Sequence, residues 1–378
     1  MKIEQYCWDE RDGWDDDPAL GRMNADLVFV FGATRLITGS NCVARLREIF
    51  PRAGMIGCST AGEIVGTNVS DDRLIATAVS FRATPILGAC VSIHDYPNSI
   101  EATRALLAKI PREGLRHLFV LADGLLTNGS DIVRGLNETL PVEIPVTGGL
   151  AGDGMDFKNS YVVFDGQVLS SAIAAIGFYG DHVRIGFGSS GGWVPFGPER
   201  LVTRSRGNVL SELDGHSALD LYKQYLGKYA DQLPAAGLLF PLSILADETE
   251  EAFVRTILFV DEKNQSLGFA GDVPTGSYAR FMRAVPDDLI DGAAEAAKIS
   301  QNRGGESPEL CILISCVGRK EVLKQLTEEE TESVEESYRK KPVMTGFYSY
   351  GEIAPFRPGD RVVLHNQTMT ITTISEDS

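Results

Sequence analysis

The chain has 378 residues, 43% of them hydrophobic, and a formal net charge of -17. This length is enough for two domains, and the acidity excludes a surface that binds nucleic acid or anionic membranes through basic patches. No segment approaches the roughly 20 apolar residues of a membrane span, so we expect a cytoplasmic protein without membrane insertion.

The cysteines indicate a reducing compartment. The chain has six of them, at positions 7, 42, 58, 90, 311 and 316, and none forms a C-x-x-C pair. Most lie among apolar or small residues, which favours free, buried thiols over disulfides or a zinc site.

The first half of the chain predicts two strand-helix-strand units. Residues 1–24 look like a polar lead-in, and the apolar run at 26–32 predicts a buried strand. A helix over 39–50 ends at Pro51, and a short strand follows at 55–57. Further strands are predicted at 74–81, 87–93, 117–121, 144–146, 161–164, 172–179 and 183–188, with helices at 98–110 and 128–140.

The remaining residues predict a third unit after an irregular segment. A loop is expected over 191–198, then a strand at 208–213 and a helix at 217–226. A domain boundary is predicted between residues 230 and 231. The second part predicts helices at 286–300 and 320–338 and strands at 253–260, 266–270, 310–317, 361–364 and 369–374. The pattern indicates an α/β protein with mixed sheets.

One short pattern recurs at the end of each unit. Residues 57–63, 147–153 and 346–352 each follow an apolar strand and end in glycine plus a carboxylate, namely Glu63, Asp153 and Glu352. A recurring pattern at similar spacing indicates duplicated architecture. Residues 267–272 resemble the second copy but lack the preceding strand-helix pair, so they could be either a fourth element or a chance match in a glycine-rich chain.

Several motifs together resemble the FIST proteins, a bacterial sensory family with FIST-N and FIST-C halves. The resemblance covers nearly the whole chain from about residue 25, with residues 25–230 like FIST-N and 231–378 like FIST-C. The motifs that carry it are at 57–64, 146–154, 191–198, 202–203, 212–215, 315–319, 346–353 and 364–370.

The resemblance implies a ligand-sensing module in signal transduction. The family was proposed to bind small ligands such as amino acids, and some members resemble haem proteins that sense nitric oxide. Those members regulate a partner histidine kinase or cyclic-di-GMP enzyme. Any output is therefore expected to pass to a separate protein.

The acids at the glycine turns have two interpretations. Glu63, Asp153 and Glu352 could bind a cationic ligand group that approaches the glycine backbone closely. They could equally cap a helix or accept backbone N–H bonds in a turn. The glycines form neither a Walker loop nor a G-x-G-x-x-G fingerprint, so phosphate binding is not supported.

His365 is the first candidate for a haem ligand, and His182 is the second. Within the motif at 364–370, His365 could coordinate a metal, bond a carboxylate such as Glu352, or make an ordinary structural hydrogen bond. Asn366 is included in the expected ligand site.

Cys58 and Arg319 are the other reactive or charged candidates. Cys58, followed by Ser59 at a strand-to-turn junction, could act as a nucleophile, although the G-x-S-x-G spacing is absent and an inert buried thiol is the competing interpretation. Cys316 has the same two interpretations. Arg319 could clamp a ligand carboxylate or form a surface salt bridge.

Aromatic residues near the glycine turns complete the expected site. Tyr348 and Tyr350 could line a pocket together with Trp193, Phe196 and Phe347, or could simply fill the core. The preferred hypothesis is a non-enzymatic small-ligand sensor with a site formed by Cys58, Ser59, Glu63, Asp153, Arg319, Tyr348, Tyr350, Glu352, His365 and Asn366. The alternatives are a haem-based nitric-oxide sensor and a cysteine-dependent enzyme.

Overall fold

The part of the chain that the structure describes contains four β-sheets. The structure is a computed structural model, and it describes residues 1–15, 23–246 and 251–377. Three of the sheets share one strand order and arise from three similar chain segments, here named the first, second and third units. The fourth sheet lies within residues 194–283 and is named the inserted sheet.

The first unit shows the shared plan. Its inner pair of parallel strands, Leu27–Gly32 and Gly54–Ser59, is joined by the helices Thr34–Gly39 and Cys42–Ile49. All residues of Leu27–Gly32 are buried, as expected for a strand covered on both faces. A return strand, Leu74–Ser80, pairs antiparallel with Leu27–Gly32, and an outer strand, Lys2–Asp9, pairs with the return strand.

The second and third units repeat this plan. The second has the outer strand Ile86–Ser92, the helix Ser99–Ala108, the inner strands Leu115–Ala122 and Val146–Leu150 around the helix Gly129–Thr139, and the return strand Ala172–Tyr179. The third has the outer strand Val183–Ser190, the helix Pro286–Gly304, the inner strands Leu310–Cys316 and Val343–Ser349 around the helices Val317–Leu323 and Thr327–Glu336, and the return strand Met369–Glu376.

Each unit lends a hairpin to the sheet of another unit. The hairpin of the first unit, Glu63–Val65 with Asn68–Ser70, pairs with Val343–Ser349 of the third. The hairpin of the third, Gly351–Pro355 with Val362–His365, pairs with Val146–Leu150 of the second. The hairpin of the second, Val162–Phe164 with Gln167–Leu169, pairs with Gly54–Ser59 of the first. The exchange forms a closed cycle, so no unit completes its own sheet.

Glycine lets the inner strands approach each other in every unit. A Cβ added to Gly57, Gly148 or Gly346 would lie 1.8, 1.8 or 1.9 Å from a carbonyl oxygen of the neighbouring parallel strand. Those oxygens belong to Val30, Val120 and Leu313 respectively. The glycine in each copy of the repeated pattern therefore has a packing role that requires no ligand.

The three sheets enclose one shared apolar core. Phe29 of the first unit meets Phe119 of the second edge to face, with ring centroids 5.6 Å apart. Phe31 of the first unit meets Phe347 of the third at 4.8 Å. Burial of these rings from three chain segments couples the stability of the units to one another.

The inserted sheet has a separate core and a small helical cover. Its buried residues include Leu219, Tyr222 and Phe281. Helix Ala218–Leu226 and two short 3-10 segments, Gly227–Gln232 and Ala235–Leu239, accompany the sheet. Its strands are Val194–Arg206, Val209–Leu213, Leu242–Leu245, Phe253–Arg255, Ile257–Asp261, Ser266–Phe269 and Tyr278–Arg283, with the short His216–Ser217 beside Val209–Leu213.

The predicted fold class, α/β with mixed sheets in two parts, is confirmed. The predicted boundary after residue 230 stays a prediction, and strands from both sides of it share sheets. No helix among the described residues is long and apolar enough to span a membrane.

Three local expectations differ from the structure. The segment predicted as a polar lead-in contains the strand Lys2–Asp9, since Tyr6 and Cys7 bury against the first sheet, while residues 16–22 lie outside the described residues. The expected helix over 320–338 is interrupted at Lys324, which takes a φ of 50°. The strand Val194–Arg206 begins within the loop expected over 191–198.

We predict that Gly57→Ala destabilises the protein by about 3 kcal/mol or more, because the new methyl group would overlap the carbonyl of Val30 and separate the parallel strands. Urea denaturation followed by circular dichroism measures the loss. Gly39→Ala is the control, since its Cβ would meet no atom within 4 Å and its stability should stay within about 1 kcal/mol of the wild type. Equal stability of Gly57→Ala and Gly39→Ala would contradict the packing role.

Candidate functional site

The three glycine turns meet one another at the centre of the fold. The amide of Ala61 donates to the carbonyl of Tyr348 at 2.8 Å, and the amide of Gly152 donates to the carbonyl of Ser59 at 2.9 Å. The amide of Tyr350 donates to the carbonyl of Leu150 at 3.2 Å. These bonds run from the first unit to the third, from the third to the second and from the second to the first.

Cys58 and Ser59 lie inside this closed junction. Cys58 is fully buried, and burial raises the pKa of its thiol well above the usual value. Ser59 donates from Oγ to the carbonyl of Gly152 at 2.6 Å and accepts the amide of Tyr161 at 2.9 Å. The thiol is therefore protonated and enclosed, and the hydroxyl is committed to joining two units.

Glu63 is buried among hydroxyl and amide donors of its own turn. Thr60 Oγ1 donates to its carboxyl group at 2.6 Å, and Ser70 Oγ and the amide of Arg73 donate at 3.2 Å each. Burial raises the pKa of Glu63 to about 7. The side chain fixes the exit of the hairpin that the first unit lends to the third.

Glu352 has the same arrangement in the third unit. Ser349 Oγ donates to Oε1 at 2.6 Å, while the amide and hydroxyl of Thr368 donate to Oε2 at 3.2 and 2.9 Å. Burial raises the pKa of Glu352 to about 8. Both acids have a hydroxyl residue three positions earlier, so the two turns share chemistry as well as shape.

Asp153 breaks this correspondence in the second unit. Leu150 stands where the other turns have a hydroxyl residue, and the hairpin strand begins only at Val162. The Asp153 carboxylate accepts the amides of Phe157, Lys158 and Asn159 at 2.7 to 2.9 Å and the hydroxyl of Tyr350. It therefore organises an extra loop, residues 153–161, that the first and third units lack.

Arg319 and Tyr348 belong to a buried structural network. The guanidinium of Arg319 pairs with Glu330 at 2.6 Å and also donates to the carbonyls of Gly191, Leu289 and Gln367. Tyr348 donates its hydroxyl to Glu330 at 2.8 Å. Arg319 is fully buried and its N–H groups are engaged, so the expected surface salt bridge is wrong and no donor remains for a ligand carboxylate.

The expected haem ligands do not fit a haem site. His365 is 2% exposed, its Nε2 bonds the carbonyl of Ala354 at 2.9 Å, and burial lowers its pKa to about 4. Its bond to a main-chain carbonyl is the plain structural alternative, and Glu352 bonds other groups. His182 is exposed at the start of a strand. No group of three or more His, Cys, Asp or Glu residues in the described ranges is arranged to hold a metal ion.

A concave pocket of about 810 Å³, hereafter called the cleft, lies between the inserted sheet and the second and third units. One wall comes from the second unit and includes Leu126 and Phe157 in loops and Leu150 at the end of an inner strand. The facing wall comes from the inserted sheet and includes Leu238 and Leu258. Its volume falls in the range of small-molecule sites, about 300–1,000 Å³.

The third unit closes the base of the cleft. Cys316, Val317 and Tyr350 contribute there, with Leu364 of the lent hairpin. Burial raises the pKa of the Cys316 thiol, so it acts as a small, weakly polar group. Gly271, in the segment 267–272 that resembles the second copy, lies on the wall of the cleft and takes a φ of 139°, as Gly62 does.

The rim of the cleft is unusually apolar for exposed surface. Nine large hydrophobic side chains are exposed in the described part of the chain, and four of them line the cleft, namely Leu126, Met155, Phe157 and Leu258. Phe157 stacks on Tyr350 with ring centroids 4.6 Å apart and takes a φ of 52°. Clustered exposed apolar groups around a concavity mark a binding site.

The comparison with known families identifies the chain. The FIST N domain model matches residues 26–216, and the FIST C domain model matches residues 218–355. The chain belongs to the FIST family. FIST domains are small-ligand sensory domains in signalling, which confirms the coarse prediction of a sensory protein.

A curated relative of this FIST protein is an uncharacterized protein of Methanocaldococcus jannaschii. The two chains are 23% identical over 307 residues, which is 74% of this chain and 57% of the relative. The match thus spans little more than half of the relative's length.

The ligand site expected for this FIST protein lies at a different place from the cleft. Of the ten residues expected to bind ligand, Tyr350 lines the cleft; Cys58, Glu63, Glu352 and His365 do not. Two features of the sequence indicate the loops that form the cleft. The second unit's pattern lacks a hydroxyl before its acid, and its hairpin strand follows only after an added segment.

We predict that stability falls as pH rises from 6.5 to 8.0, because Glu63 and Glu352 hold protons in the fold that the unfolded chain releases near its ordinary pKa. Each group contributes on the order of 1 kcal/mol per pH unit while it remains protonated in the fold. The buried His117 and His365 have lowered pKa values and act in the opposite direction, but below about pH 6.5. Urea unfolding across this pH range measures the slope.

Glu352→Gln should flatten that slope while retaining a neutral hydrogen-bonding side chain. Glu48→Gln, on an exposed helix position, is the control and should leave the slope unchanged. A wild-type protein whose unfolding free energy is constant from pH 6.5 to 8.0 would show that both carboxyl groups are ionised in the fold.

Proposed function

We propose that this FIST protein is a non-enzymatic sensor that binds a small ligand in the cleft and passes the ligand state to a separate partner. The observation that carries the proposal is the origin of the two walls. One wall belongs to the three-unit core and the other to the inserted sheet, so a bound molecule would touch both. Sites between such parts are common places for ligands.

Among the described residues, several polar contacts join the inserted sheet to the core beside the cleft, including an ion pair between Arg134 and Asp272 at 3.2 Å. Arg255 donates to the carbonyl of Leu364 at 2.8 Å, and Gln367 donates to the carbonyl of Leu238 at 3.2 Å. The amide of Asp272 donates to Ser130 Oγ at 3.0 Å. A ligand that contacts both walls would favour one spacing of the walls, in proportion to its differential affinity for the two arrangements.

The absence of catalysis is part of this proposal. The thiol proposed as a nucleophile, Cys58, is fully buried with a raised pKa, and Cys316 at the base of the cleft has a raised pKa as well. A nucleophilic thiol needs a depressed pKa and access to substrate. Both observations support binding without chemistry.

Two more specific hypotheses follow from the sequence. One is that the protein is a haem-based nitric-oxide sensor, and the other is that its partner is a histidine kinase or a cyclic-di-GMP enzyme. Because FIST domains act in signalling, membership of this family supports a partner that takes part in signal transduction. For haem, the described lining of the cleft includes no histidine, and Cys316, Met155 and Tyr350 are the side chains there of types that ligate haem iron in other proteins. We therefore place the haem sensor second.

We predict that a thermal-shift screen of amino acids and neutral metabolites finds compounds that raise the melting temperature, because ligand binds the folded state selectively. Ala235→Trp should abolish those shifts, since Ala235 lines the cleft and the indole would fill it. Ala83→Trp, an exposed position off the cleft, should retain them. Shifts that persist in Ala235→Trp would refute the cleft as the site, and a flat screen would refute the sensor.

We also predict that haemin added to the purified protein gives no Soret band of a ligated haem, since His365 is bonded to a carbonyl and enclosed. Absorption spectra during titration test this. A Soret band that disappears in His365→Ala would establish the haem sensor, and one that changes in Cys316→Ser would assign the iron to the cleft.

A further inference from the structure

The lining of the cleft limits the chemistry of its ligand. Its described side chains include no Asp, Glu, Lys, Arg or His. A charge moved from water into such a site would lose hydration without gaining a partner, which is strongly unfavourable. This inference rests on the proposed function, because it concerns the molecule that the cleft would hold.

Two charged residues that adjoin the cleft, Asp153 and Arg255, bond protein groups. The Asp153 carboxylate accepts three loop amides and the Tyr350 hydroxyl. Arg255, behind Gly271, donates to the main-chain carbonyls of Asp272, Val254 and Leu364. The charges at this site thus serve the loops, and an amino-acid zwitterion would find neither a cation nor an anion free on the described lining.

The polar side chains on the described lining are uncharged, and several of them serve the protein itself. Asn128 Oδ1 accepts the amides of Ser130 and Asp131, and Asn208 Nδ2 donates to the carbonyl of Phe269. Thr256 Oγ1 has no hydrogen-bond partner but is enclosed, so a molecule in the cleft does not reach it.

A flat aromatic surface also lies at the rim of the cleft. The Phe157 and Tyr350 rings lie nearly parallel, at an interplanar angle of 17°, and the loop holds Phe157 in a left-handed conformation that costs energy. Asp153 fixes both rings, through the amide of Phe157 and the hydroxyl of Tyr350. The protein therefore maintains a planar apolar face next to exposed Leu126 and Leu258.

We propose that the ligand of the cleft is an uncharged, mainly apolar molecule with a planar ring system. The ring packs against Phe157 and the leucines of the rim. The volume of about 810 Å³ accommodates a molecule of several fused or linked rings.

The test uses two probes that differ by one charged group. N-phenyl-1-naphthylamine is neutral, and 1-anilinonaphthalene-8-sulfonate is the same ring system with a sulfonate. Fluorescence titration of the full-length protein should give at least about tenfold tighter binding of the neutral probe, because the sulfonate finds no cation on the described lining.

Two variants connect binding to the cleft. Leu258→Glu introduces a charge at a position that is 45% exposed, so folding is retained, and it should weaken the neutral probe at least about tenfold. Leu87→Glu, at a position that is 49% exposed and off the cleft, is the matched control and should bind normally.

The results of these titrations test the class of ligand and the location of the site separately. Equal or tighter binding of the sulfonate probe, lost in Leu258→Glu, would overturn the neutral ligand and leave the cleft as a binding site. Neutral-probe binding that is unchanged in Leu258→Glu would overturn the cleft assignment. Failure of the neutral probe to bind would overturn the ligand class, whereas the sensor itself is judged separately by the response of the melting temperature to metabolites.

Discussion

The exchange of hairpins among the three units is the constraint on which the rest of the structure depends. Each inner strand near a glycine turn pairs on one side with its own unit and on the other with a hairpin from another unit. The chain must therefore leave each sheet within a few residues of the turn. Buried acids fix that exit in two units, where Thr60 holds Glu63 and Ser349 holds Glu352. The three turns contact one another through main-chain hydrogen bonds at the centre of this closed cycle.

The cleft lies where the repeat is broken. The second unit has an added loop held by Asp153, and the third unit is interrupted by the inserted sheet. These two departures face each other across the cleft. The parts that occur once thus supply much of the two walls of the cleft, and the duplicated third unit supplies its base. Rigid scaffolds with specialised loops are a common division of roles in proteins.

The sequence predicts the inner strands and most helices because their signals are local. The apolar run at Leu27–Gly32 and the spacing in Gly129–Thr139 need no knowledge of distant residues. The exchange of hairpins is not visible locally, since strand propensity does not say which strand a hairpin joins. For the same reason the acids of the pattern could be found but their role could not. Leu126 and Leu258, which are far apart in sequence, resemble ordinary surface leucines until the fold brings them together.

The neutral lining of the cleft also bears on how a signal could leave it. Apolar contact is not directional, so a ligand between two walls stabilises whichever spacing buries most of its surface. Arg255 spans the two parts at that point, with bonds to the carbonyls of Asp272 in the inserted region and Leu364 in the core. Burial lowers the pKa of Arg255 to about 9, yet the guanidinium stays charged at neutral pH. Its bonds to the two carbonyls would hold the walls together at this point, so that a ligand would change their spacing elsewhere along the cleft. The hairpin that includes Leu364 would transmit such a change to the sheet of the second unit, with which it pairs.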